Sequence, residues 1–163
     1  MKALRGVLLV LVALGITGCA TPYQPQQFFN MVEFFPYQTK GTATVRGTAF
    51  LKTRGGEVRL GAGNEVELVP LVPYIEERLQ VGTIRGVPLP PRDPRVDAFS
   101  RKTIADAQGN FEFTGLPAGR YVLYCAIVWE VPFGSYTTQT TGGTAYAVVT
   151  VKDGETAKAL VTR

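Results

Sequence analysis

The chain has 163 residues, 45% of them hydrophobic and 18% charged, with 18 Gly, 11 Pro, two Cys and no His; this fits one globular domain and excludes disordered and collagen-like chains. A formal charge of +4 is too small for the electrostatic footprint of a nucleic-acid binder, so no nucleic-acid partner is expected. Without His the commonest metal ligand and the commonest general base are missing, and two Cys cannot complete a structural zinc site.

Lys2 and Arg5 give the chain a short positive start, and residues 7–16 (VLLVLVALGI) follow as an aliphatic run broken only by Gly15. A bilayer span needs about 20 apolar residues, and Pro22 and Pro25 bar any helical extension, so the run reads as an export signal rather than a permanent membrane helix. Removing Lys2 and Arg5 with it leaves a net charge of +2. The next residues, Ile16, Thr17, Gly18 and Cys19, resemble the lipobox of bacterial lipoproteins. That resemblance implies cleavage before Cys19, lipid attachment at Cys19, and the bilayer as a partner held through palmitate-type acyl chains. Ala20 in place of Asp resembles the default for delivery to the outer membrane where a bacterium has two membranes. Cys125 is then left alone in an apolar run, which points to a small buried side chain rather than a reactive thiol or a disulfide.

The chain therefore divides into a signal peptide (residues 1–18), a lipidated N-terminus and tether carrying an aromatic segment (19–41), and a β domain (42–163). In the second part, residues 20–27 read as spacer, whereas residues 28–37 (FFNMVEFFPY) are too apolar for one; Phe34 and Phe35 are expected to pack onto the domain.

From Thr42 onward apolar residues alternate with period two, the pattern of half-buried strands. Val45, Gly47, Ala49 and Leu51 share one face, opposite Arg46, Thr48 and Lys52. After the Gly61 to Asn64 connection, Val66 and Leu68 point inward between Glu65 and Glu67, two carboxylates better read as a solvated strand face than as an acid/base pair. Residues 73–80 (PYIEERLQ) predict a helix of two turns at most. Residues 82–97 carry Pro88, Pro90, Pro91 and Pro94 and predict a long surface loop, with Arg92 and Arg95 paired to Asp93 and Asp97. Further strands are expected up to Asp106, around Phe111 and Phe113, over 120–131, 136–139, 145–151 and 156–161. Residues 134–143 between two of them read as a mobile loop. Asp153-Gly154 predicts a hairpin joining the last two strands.

Residues 105–125 (ADAQGNFEFTGLPAGRYVLYC) resemble the signature of the carboxypeptidase regulatory-like domain, with its motif positions on Asp106, Gly109, Phe111, Phe113, Leu116, Pro117, Gly119 and Tyr121. The resemblance implies an all-β fold, a seven- or eight-stranded Greek-key sandwich of transthyretin (prealbumin) type, here with a short helix and a Pro-rich loop inserted. The motif has its own physics: Asp106 can accept from turn amides, Gly109 can take a positive φ, and the two Phe fill the core. Asp106 and Asn110 offer only two oxygen side chains against the six to eight that Ca²⁺ takes, so no metal or other cofactor is expected.

No nucleophile or phosphate-loop motif is visible. The expected function is thus non-enzymatic: an envelope lipoprotein that binds or scaffolds another envelope component, an unknown protein or a glycan. The alternative is a carbohydrate-binding module on the cell surface, for which Tyr74, Phe133 and Tyr136 are the aromatic contact candidates.

Overall fold

The computed structural model describes residues 23–163; Cys19, the lipobox and the apolar run lie outside them. Among these described residues eight strands form two four-stranded sheets packed as a β-sandwich, the all-β fold expected. The first sheet is centred on β1 (Ala43–Lys52). Its first half pairs antiparallel with β5 (Asn110–Leu116), and its last three residues pair with β2 (Val58–Leu60). Ala49 marks the handover, donating its N–H toward Gly109 O while its carbonyl accepts from Gly61 N–H, each at 2.8 Å. Along the other edge β8 (Thr156–Val161) runs parallel to β1. The second sheet has the order β4 (Arg101–Ile104), β3 (Glu65–Pro70), β6 (Gly119–Phe133), β7 (Thr137–Val151), all antiparallel.

Alternation decides what lies between the sheets. Val45, Ala49 and Leu51 from β1, Phe111 and Phe113 from β5, and Val66 and Leu68 from β3 meet Tyr121, Leu123, Cys125 and Ile127 of β6 in one core. Tyr121 is anchored there by donating its hydroxyl to Pro117 O at 2.8 Å, and burial pushes its phenol well above the usual tyrosine range.

Strand β6 is apolar on its second face too, and that face needs cover. A second core supplies it: Val69 and Val122 on the outer side of the second sheet pack under Phe34, Tyr74, Ile75, Leu79, Val96 and Phe99. Phe34 comes from α1 (Met31–Phe34), which Asn30 caps by accepting from Val32 N–H. Its ring lies 5.2 Å from Phe29 and 4.8 Å from Phe99. Burying it fully is worth roughly 1.5–3 kcal/mol. The molecule therefore has three layers: first sheet, second sheet, and a helical cover.

The structure departs from the sequence pattern at several elements. Phe35 does not pack with Phe34 but is half exposed. The spacer is not free over its length, because Tyr23, Gln26 and Gln27 all donate to the Glu77 carboxylate. The helix predicted to end at Gln80 runs as α2 (Pro73–Glu77) into a π-helical stretch (Arg78–Ile84), because Leu79 and Val81 are buried beneath it; Val87 N–H closes its end on Val81 O. In the Pro-rich segment that follows, Pro94–Ala98 forms a 3₁₀ turn. Residues 137–151 form one strand rather than two strands and a loop. Gly142 in its middle is a close-approach position, where a Cβ would lie 2.1 Å from Ile127 O. The Asp153-Gly154 turn makes no hairpin: it carries the chain from β7 in one sheet to β8 in the other, and β8 pairs with β1.

Candidate functional site

The open outer face of the first sheet carries a groove of about 590 Å³. Period-two alternation places its floor: residues of β1, β5 and β8 whose neighbours point into the core point out here. Strand register then sorts them into two rows. Lys158, Arg46 and Glu112 are successive partners across β8, β1 and β5, and Leu160, Thr48 and Asn110 are partners in the next row. With strands about 4.8 Å apart and alternate residues about 7 Å apart, the two rows cover an area of monosaccharide to disaccharide size. Thr103 and Ile104 of β4, with Asp106, close the far side.

The polar groups that β1 and β5 contribute to the rows are held in place. Arg46 Nε donates to Glu112 Oε1 at 2.9 Å, and its terminal nitrogen lies 2.8 Å from the same oxygen. Thr48 Oγ1 donates to Asn110 Oδ1 at 2.8 Å. Asp106 Oδ1 accepts from the N–H groups of Gln108 and Asn110 at 2.9 and 2.8 Å, and Oδ2 accepts from Asn110 Nδ2 at 3.2 Å. The Asn110 backbone N–H, with these other bonds, keeps the Asp106 carboxyl below the usual carboxylate range despite an opposing desolvation. Asp106 is thus committed to the turn that Gly109 completes at φ +78°, as its spacing predicts, and it locks Asn110 at the edge of the groove.

Ile104 and Leu160, 63% and 66% exposed, give the groove apolar patches at opposite ends. Fixed polar side chains between exposed aliphatic surfaces suit a ligand rich in hydroxyls with an apolar ring face. The planar Arg46 guanidinium, the Glu112 carboxylate and the Asn110 amide can each engage neighbouring hydroxyls, and Lys158 adds a mobile cation.

A smaller cavity of about 310 Å³ lies in the helical cover, lined by Arg78, Thr83, Leu89, Arg92 and Tyr124 among others. Its cations are already engaged. Arg78 donates to Pro90 O at 2.8 Å, and Arg92 pairs with Glu67 at 2.8 Å and Asp97 at 2.5 Å. Glu67 is therefore a half-buried partner that clamps the Pro-rich loop to the sheet, whereas Glu65 is an exposed one paired with Lys102. Arg95 pairs with Asp93 as expected.

The aromatic candidates fall in two places. Tyr74 is only 8% exposed; it packs in the second core, and its hydroxyl accepts from Asp93 N–H at 2.9 Å, so it is no contact platform. Phe133 and Tyr136 reach the tip of the β6–β7 hairpin, where Tyr136 is 99% exposed. The groove residues Arg46, Thr48, Asn110, Glu112, Lys158 and Leu160 were missed as a site. Their outward parity was readable for Arg46, Thr48 and Glu112, but their convergence depends on β8 lying beside β1. Cys125 is buried, and burial pushes its thiol up, away from reactivity. Among the described residues there is no group of three metal-ligating side chains, and no helix is long and apolar enough to cross a membrane.

No known family profile matches the sequence, and no curated protein matches it. Among solved structures, the fold is similar to that of a proposed carbohydrate-binding protein from Pseudomonas aeruginosa. The TM-score is 0.71 at 27% sequence identity, over 83% of this chain and 97% of the other.

Proposed function

We propose that this protein is a non-enzymatic carbohydrate-binding module of the bacterial cell envelope, and that it takes its glycan in the groove on the first sheet. The observation that carries the reading is the pair of ordered rows across β8, β1 and β5, with hydrogen-bonded Arg46, Glu112, Thr48 and Asn110 set between exposed Leu160 and Ile104. The similar structure from Pseudomonas aeruginosa, itself a proposed carbohydrate binder, supports the same ligand class. Asp106 has both oxygens engaged in its turn, and Glu112 is tied to Arg46, so neither is placed as a free acid/base partner of the other.

The anchor is the second part of the proposal: acylation of Cys19 holds the domain on a membrane, the outer one in a bacterium with two. Metabolic labelling with a palmitate analogue is expected to tag the wild type and miss Cys19→Ser; equal labelling of both contradicts the anchor. For the glycan, the mature protein is screened against bacterial surface polysaccharides and peptidoglycan fragments. Removing both members of the Arg46–Glu112 pair by substitution to Ala is expected to weaken the best ligand at least about tenfold, the scale of losing charge-assisted hydrogen bonds. The thermal midpoint is expected to stay near wild type because both side chains are exposed. Undiminished binding by that double variant contradicts the groove.

A further inference from the structure

A few residues beyond Cys19 the chain shows exposed apolar side chains that nothing among the described residues covers. Phe28, Met31, Val32 and Phe35 flank and make up this stretch: Met31 and Val32 lie in α1, Phe28 just before its Asn30 cap and Phe35 just after its end. Phe28 is 79% and Val32 67% exposed, and Met31 and Phe35 are close to half exposed. Phe29 and Phe34 belong to the other side and pack in the second core. The exposed residues are therefore not an unfolded remnant: α1 is held by the burial of Phe34 and by the Asn30 cap. Exposed apolar clusters of this kind mark contact surfaces.

The chain just upstream is itself fixed to the fold. The Glu77 carboxylate accepts from Tyr23 Oη at 2.6 Å and from the N–H groups of Gln26 and Gln27 at 2.7 Å each. Burial by itself would raise the Glu77 carboxyl, but these three donors outweigh it and hold it below the usual range. The segment is thus pinned to α2, leaving residues 20–22 between Tyr23 and Cys19. Four Cα steps reach at most about 14 Å.

We propose that the Phe28, Met31, Val32 and Phe35 surface seats itself in the interfacial region of the lipid bilayer that holds Cys19. The inference rests on the acylation of Cys19 and is independent of the glycan reading. An acyl chain at Cys19 keeps these side chains within a short, pinned reach of the bilayer, so their insertion is effectively intramolecular. Docking fixes orientation rather than adding an anchor. The patch belongs to the helical cover on the outer face of the second sheet, and the groove lies on the outer face of the first. With the patch on the membrane, the groove faces away from it.

The test uses the acylated mature protein in vesicles of phosphatidylethanolamine and phosphatidylglycerol that contain nitroxide-labelled lipid. A bimane fluorophore is attached in turn to Phe28→Cys, Val32→Cys and Tyr136→Cys; Cys125 is buried and does not compete. Loss of most of the emission at positions 28 and 32, with little loss at the hairpin tip, is expected. Equal emission at all three positions in protein shown by intact mass to be acylated overturns the docking. A mass without acyl chains overturns the anchor itself, and is read separately.

Discussion

Gly109 shows how much of this fold depends on one residue. At φ +78°, with a would-be Cβ 2.7 Å from Ala49 O, it has no room for a side chain and a backbone that L-residues rarely adopt. Gly109→Val is expected to cost at least about 2 kcal/mol, read as a lowered urea midpoint; a midpoint equal to wild type contradicts the turn geometry. Asp106 in the same turn has its carboxyl held low, foremost by the Asn110 N–H. A depressed folded-state pKa means that its contribution is fully present above the unfolded value, about 4, and is lost as pH falls through the lower folded value. Asp106→Asn is therefore expected to flatten the acid limb of a stability-against-pH profile, whereas an unchanged limb contradicts the assignment. Both residues were legible because an Asp to Gly spacing within one turn is local chemistry. The place of Tyr74 was not legible, because only the packing of the helical cover decides whether that ring is a platform or part of a core.

Among the elements, the aromatic segment is the one whose role the strand pattern foretold. Strand β6 is apolar on both faces, so a cover was required, and Phe34 provides part of it at full burial. Phe34→Ala is expected to cost about 3–5 kcal/mol, and Phe35→Ala much less because it is half exposed. The thermal midpoint of a chain beginning at Lys40 should fall below that of one beginning at Ala20; equal midpoints contradict the packing. The strands of β1, β3, β5 and β6 were readable because each has one face or both in a core, and burial enforces the alternation. Strand β7 was not, since Gly142 and Gly143 carry a loop signal, whereas Gly142 serves a close approach to the β6 backbone and Gly143 lies under the Arg163 side chain. The partner of β8 was hidden for a different reason. Asp153-Gly154 is a turn either way, and whether a turn returns the chain to the same sheet or to the opposite one is set by long-range pairing, about which the dipeptide is silent.

At the scale of the whole molecule, three layers give the two outer surfaces different chemistry. The helical cover carries the apolar Phe28 and Val32, and the opposite face carries the ordered polar rows and the groove. No local motif encodes the groove: Lys158 and Glu112 become neighbours of Arg46 only through β8 and β5. The most direct measurement is a titration of the ¹⁵N-labelled mature domain with the best glycan ligand, followed by amide chemical shifts. Binding in the groove predicts concentration-dependent shifts at Arg46, Thr48, Asn110, Glu112 and Lys158, with the hairpin tip around Phe133 and Tyr136 unmoved; shifts confined to that tip, or none with any glycan, would contradict it.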